Sequence, residues 1–306
     1  MADFYNVEII NKKIDTNAKK LVLDVESRFR GQLFNIAKKV MEQDEVKVVL
    51  LAGPSCAGKT TSARLLKEVM EQNGKHVVTV SMDDFFIDRD KTPFLSNGQR
   101  DLDSPICVNT KQMEECFSSL FAGNKTGFPV YDFITGKNVP NSFYLEAKEN
   151  TIIIFEGLHV LNPKIVSHLG TDKYFKIYVN TLSGFELDGK EMSPRDLRLL
   201  RRMVRDIDRR KLTPDTTLKT WPNVCEAEDK YITPFKKDAD YIINSTHDYE
   251  LGVFKGAFDA LMKENKVTSD KYPYYEILNA CEEISTTILP ETTLMWEFVD
   301  RPAQEQ

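Results

Sequence analysis

Residues 46–70 constrain the fold of this chain more than any other stretch. An apolar run, Val46-Lys47-Val48-Val49-Leu50-Leu51-Ala52, leads into Gly53-Pro54-Ser55-Cys56-Ala57-Gly58-Lys59-Thr60, and Ser62 to Met70 follows with helix-like composition. The middle segment satisfies G-x-x-x-x-G-K-[ST]. Its flanks supply the buried strand and the helix that this pattern needs in order to work. Gly53 and Gly58 permit backbone angles and close approaches that a side chain would block. The freed amides of the loop, through Ser55, Cys56, Ala57 and Gly58 to Lys59, Thr60 and Thr61, then face phosphate oxygens. Lys59 would neutralise the β- and γ-phosphates, and the Thr60 hydroxyl would ligate Mg²⁺. These residues predict a nucleoside triphosphate site, with ATP the expected ligand.

Chain length allows one large domain with extensions or two small ones: there are 306 residues, 41% of them hydrophobic and 29% charged. A net charge of −6 gives no basic surface for nucleic acid. No apolar run approaches the ~20 residues of a bilayer span, and Met1-Ala2-Asp3-Phe4-Tyr5 lacks the basic-then-apolar order of a secretory signal. Five scattered cysteines (56, 107, 116, 225 and 281) contain no CxxC and cannot all pair, so a reducing, cytoplasmic setting is expected. The four histidines show no metal-ligand spacing.

Periodicity predicts a long amphipathic helix over Thr16 to Gln43 and buried strands over 46–52, 76–81, 151–155, 174–179 and 241–243. A helix is expected over Thr110 to Phe121. Alternation broken by Thr135-Gly136-Lys137-Asn138 predicts a β-hairpin over about 128–147. Helical segments separate the strands, which predicts a mainly parallel five-stranded sheet covered by helices on both faces. The divisions expected are an N-terminal helical extension (1–44), a core (45–249) and a C-terminal helical extension (250–306). That extension should hold one helix from Glu250 to Lys263, a polar break at Lys266 to Asp270, and a second helix near Tyr274 to Thr286.

In such sheets ligands bind beyond the carboxyl ends of the strands. Acids stand at two of those ends, Asp83 after the second strand and Glu156 after the third. One can take the proton of an attacking hydroxyl and the other can hold Mg²⁺ or its water shell; each residue type is also an ordinary helix cap. Arg198, Arg201 and Arg205 share a helix face at i, i+3 and i+7 within a run of seven arginines from Arg195 to Arg210. That face suits either a cationic helix over transferring phosphate or a solvated face paired with Asp196, Asp206 and Asp208.

These residues assemble into a known pattern over roughly 45–245. The chain resembles the uridine kinase and phosphoribulokinase family through Gly53–Thr61, Ser81-Met82-Asp83, Asp103-Ser104-Pro105, Pro129-Val130-Tyr131-Asp132-Phe133, Phe155-Glu156-Gly157 and Arg198 to Ile207. The resemblance implies a three-layer P-loop fold, a hairpin beside the acceptor and an arginine-rich helical lid over about 195–212. It also implies transfer of the ATP γ-phosphate to a primary hydroxyl of a nucleoside-like small molecule, with no nucleic acid or membrane involved and a homo-oligomer conceivable. By that pattern Asp83 is the general base and a Mg²⁺ neighbour, and Glu156 the second Mg²⁺-associated acid. Asp103 holds acceptor hydroxyls, Tyr131 and Phe86 face the acceptor ring, and Arg198 lies near it. Arg201 and Arg205 sit on the lid.

Two departures bear on the acceptor. Phe86 stands where the family usually has tyrosine, and Gly136 where it usually has a histidine that contacts the pyrimidine. A pocket short of a hydroxyl and an imidazole has fewer buried polar groups to read a base. The acceptor therefore stays open between a uridine-like nucleoside and another sugar, a phosphopentose or a vitamin precursor. A non-catalytic nucleotide-binding regulator on the same scaffold is the reading from another class.

Overall fold

The structure, a computed structural model, describes residues 3–148, 150–210, 212–263, 272 and 274–301. A short strand β1 (Asp3–Asn6) opens it, and Asn6 caps helix α1 (Val7–Met41) by accepting the Ile9 amide at 3.1 Å. This helix begins nine residues before the predicted one and is two helices end to end. Asn17 leaves helical geometry, and its side chain caps the second half through the Lys20 amide at 2.9 Å. The polar stretch before Asn17 hides the first half from a periodicity reading.

The central strand β2 (Val48–Ala52) is followed by α2 (Lys59–Gln72) and β3 (His76–Ser81). Next come α3 (Thr110–Phe121), the antiparallel pair β4 (Thr126–Asp132) and β5 (Lys137–Leu145), then β6 (Thr151–Gly157) and the single turn α4 (Pro163–Val166). β7 (Tyr174–Asn180) precedes a hairpin, β8 (Ser183–Leu187) and β9 (Lys190–Met192), within the segment 182–194. β8 also pairs in parallel with β1, so this segment builds a second, three-stranded sheet that periodicity did not predict. Four residues are too few for β1 to show a period. The helices α5 (Pro194–Arg210) and α6 (Pro214–Tyr231), strand β10 (Tyr241–Asn244), α7 (Glu250–Lys263) and α8 (Tyr275–Asn279) complete the set.

The main sheet is all parallel, in the order β10-β7-β2-β6-β3, with β2 at its centre. Every residue of β2 and β6 is buried, as expected for strands covered on both faces. On one face Val49, Leu51, Ile154 and Ile177 pack in one core with α1, α2, α7 and the C-terminal residues Leu294, Met295 and Phe298. On the other, Val48, Leu50, Ile153 and Phe155 pack against α3 and the β4–β5 pair. The predicted helix over 274–286 is reduced to α8. Beyond it the backbone finds partners elsewhere: the Glu282 amide donates to Asn11 Oδ1 and the Ile284 amide to the Gly252 carbonyl. The expected polar break at 266–270 lies outside the described residues. Among the described residues no helix is long and apolar enough to cross a membrane.

Candidate active site

The phosphate loop leaves β2 at the centre of the sheet, and α2 starts at Lys59. Gly58 takes φ +89° as the helix cap, a left-handed turn that glycine enters without strain. Lys59 Nζ rests on the Pro54 carbonyl at 3.2 Å, Thr60 is exposed, and the Thr61 amide meets Glu297 Oε1 at 2.6 Å.

The loop is braced from behind by α5. Arg198 Nη1 donates to the Ser55 carbonyl and Arg201 Nη1 to the Cys56 carbonyl, both at 3.1 Å; Arg202 Nη1 reaches Ser55 Oγ, also at 3.1 Å. Two of these guanidinium groups are buried and paired. Arg198 meets Glu228 at 2.5 Å, and Arg201 meets Glu250 at 2.6 Å. Such pairing is what makes a fully buried arginine tolerable. Arg198 and Arg201 therefore reach the loop carbonyls and buried acids, and they are not part of a solvated face. Arg205 differs: it is only partly buried, it pairs with Asp206 of its own helix at 3.3 Å, and its charge acts on Asp83.

The two acids sit at neighbouring strand tips. Register pairs Ser81 of β3 with Glu156 of β6, and Leu51 of β2 with Glu156 on the other side. Ser81 Oγ links both acids, donating to Glu156 Oε1 at 3.1 Å and accepting the Asp83 amide at 3.3 Å. Burial raises the pKa of each, and the Lys59 ammonium pulls both back. Glu156 is pushed up to about 7, with the Asp83 charge adding to the effect of burial. Asp83 Oδ1 is enclosed and has no hydrogen-bond partner. An orphaned carboxylate oxygen beside a lysine, a second acid and a helix-start hydroxyl suits a hard cation that shares its shell with water and phosphate oxygens. Among the described residues no group of three His, Cys, Asp or Glu is placed to hold a metal ion. Thr60, Asp83 and Glu156 are the residues that would hold Mg²⁺, which neutralises phosphate charge when bound.

Close to the acids, an open hollow is walled by Phe86, Tyr131, Phe133, Leu102 and Arg89. Phe86 and Phe133 meet the Tyr131 ring edge-on at 5.7 and 5.0 Å. The Tyr131 amide donates to Asp84, and burial pushes that carboxyl up to about 6. Asp103 stands between the acids and α5. Burial raises its pKa, while the charges of Arg202 and Arg210 lower it. Sequence reasoning missed Arg89, a charged group in the hollow wall. Its side chain lies over Gly136, where a Cβ would come within 2.8 Å of Arg89 Cβ and 3.0 Å of Cζ. A glycine at 136 is what lets the arginine in. Arg202 and Arg210, members of the arginine run, were also left out of the site. Glu228 and Glu250 carry no signal of their own; only contact with the buried arginines reveals them.

The profile of the phosphoribulokinase/uridine kinase family matches residues 48–251. The chain belongs to that family. A uridine kinase of Clostridium perfringens is 28% identical over 225 residues, 72% of this chain and 96% of its own. The Bacillus subtilis uridine kinase is 26% identical over 197 residues, 64% of this chain and 84% of its own. A solved structure of a possible uridine kinase from Bacillus stearothermophilus aligns over 71% of this chain and 99% of its own, at 19% identity and a TM-score of 0.48. As a member of the phosphoribulokinase/uridine kinase family the chain is a phosphotransferase with an alcohol hydroxyl as acceptor. The residues of α1 before 48, and most of the segment after α7 begins, lie outside the matched range.

Proposed function

We propose that the protein transfers the γ-phosphate of ATP to a primary hydroxyl of a nucleoside-like acceptor held in the hollow between Phe86 and Tyr131. The observation that carries this reading is the meeting of Lys59, Asp83 and Glu156 at three adjacent strand tips. The unpartnered Oδ1 of Asp83 accepts the acceptor's hydroxyl proton, and burial keeps that oxygen basic enough to do so. Lys59 and Arg205 supply positive charge as the phosphoryl group passes in line. Asp103 orients the acceptor hydroxyls.

One observation favours a second acceptor class. Among the described residues Arg89 has no ion-paired carboxylate: its neighbour Asp88 pairs with Lys91 and Lys137, and Asp90 with Lys137. The guanidinium is held by neutral partners, the Phe133 carbonyl and the Tyr131 side chain, so its charge suits an anionic acceptor such as a phosphopentose. An ADP-release assay over a panel of nucleosides, sugars, phosphopentoses and vitamin precursors decides between them. Turnover with uridine or cytidine alone supports the first reading, and turnover with a phosphorylated sugar, abolished in Arg89→Met, supports the second. ATP binding without product from any acceptor would leave a nucleotide-binding regulator.

A further inference from the structure

The chain carries its own anion on the phosphate loop. Thr61 is the third residue of α2, so its amide is one of the first-turn donors with no partner inside the helix. In a phosphate loop these are the donors offered to a nucleotide's phosphates. Here the Glu297 carboxylate takes it at 2.6 Å, from a segment 236 residues away in sequence. The same segment lays Leu294 against Gly58, so closely that a Cβ there would fall 2.4 Å from the leucine. It also occupies an arginine of α5, since Arg209 donates to the Trp296 carbonyl.

The segment is well anchored. Thr293 bonds to the buried Glu26 of α1 and to Tyr249, and Phe298 is fully buried beneath the Arg201 guanidinium at 5.0 Å. Glu297 itself is only partly buried, so its side chain can turn away while the segment stays in place. Its charge is felt within the catalytic cleft: it raises the Glu156 pKa and strengthens the cationic form of Arg205.

We propose that Glu297 is a built-in competitor for the nucleotide site. Its carboxylate holds the Thr61 amide in the free enzyme and must swing aside before the phosphates of a nucleotide can take that donor. The proposal rests on the ATP-kinase reading above and adds that nucleotide affinity is set against this internal anion. Two carboxylate or phosphate charges brought to one amide repel strongly, so removing the internal one should tighten binding.

The test is calorimetric titration of the full chain with ADP, comparing wild type with Glu297→Gln and Glu297→Ala. Glu297→Gln keeps the side-chain volume and guards against a packing defect. Both variants should bind ADP about tenfold or more tightly than wild type. A residue that merely supported the loop would move the affinity the other way. Equal or weaker ADP binding by both variants overturns the assignment of Glu297 while leaving nucleotide binding itself in place. An absence of ADP binding in all three proteins overturns it together with the kinase reading beneath it.

Discussion

Asp83 combines two properties that oppose each other in most carboxylates: it is enclosed, and one of its oxygens has nothing to bond. Enclosure disfavours the charged form, and Lys59, Arg210 and Arg205 restore part of the balance. A general base with that environment should be sensitive to the loss of a single charge. In Asp83→Asn, kcat should fall by about two to four orders of magnitude while the Kd for ATP changes little, measured by ADP release and by calorimetry. Glu156 makes a separate statement about stability. Its pKa rises on folding from the usual 4.5 to about 7, so the folded state binds its proton more tightly than the unfolded state. The stabilisation this gives is complete below about pH 4.5 and is lost as pH climbs to about 7. Urea titrations without Mg²⁺ or nucleotide should show wild type losing ground to Glu156→Gln across that window. A constant difference between the two would mean the carboxyl is not held protonated.

α5 ties the phosphate loop to the rest of the fold. Leu197, Leu200, Met203 and Val204 fix one side of the helix in the core, and Arg198 and Arg201 tie the other to the loop carbonyls. Each tie depends on an acid from a different helix, Glu228 of α6 or Glu250 of α7. Glu250→Leu leaves a buried guanidinium without its partner and should cost about 3–5 kcal/mol in urea unfolding. The double replacement Arg201→Met with Glu250→Leu should recover most of that loss, because an apolar pair of similar bulk carries no desolvation penalty. ATP affinity should not recover with it, since the Cys56 carbonyl would still lack its donor. That split separates holding the fold together from holding the loop in shape.

α1 and the segment 294–299 belong to the same core as the sheet. α1, α7 and the segment 294–299 share one continuous apolar cluster with β2, β6 and β7. Ser183 and Asn244 bond to each other, and Thr246 bonds to Ser183, at the junction between the small sheet and the large one. The protein should therefore unfold as a unit. Phe298→Ala, at a fully buried position only eight residues before the last residue of the chain, should cost about 3–5 kcal/mol and shift a single thermal transition. Two separate transitions in scanning calorimetry, with only one moved by the substitution, would contradict this description.

How much could be read in advance follows from the range of the interactions involved. The strand ends at 52 and 81, the loop between β2 and α2, and the β4–β5 hairpin were legible, and the third strand was too apart from its last two residues, because periodicity and turn residues are properties of neighbours along the chain. The placing of Lys59, Asp83 and Glu156 at one edge followed too, since a parallel sheet sends the carboxyl ends of all its strands the same way. The kink at Asn17, the pairing of β1 with β8 and the shortening of the helix after Tyr274 were not legible. Each depends on a hydrogen bond to a specific residue that local pattern does not announce. The fate of the arginines is the clearest case: spacing put Arg198, Arg201 and Arg205 on one helix face, and nothing in it distinguished them. Only the packed molecule does so, by burying acids from α6 and α7 beside the first two, while the third pairs with Asp206 of its own helix and its charge acts on Asp83. A buried charge goes where a partner can neutralise it, and that partner is chosen by tertiary contact.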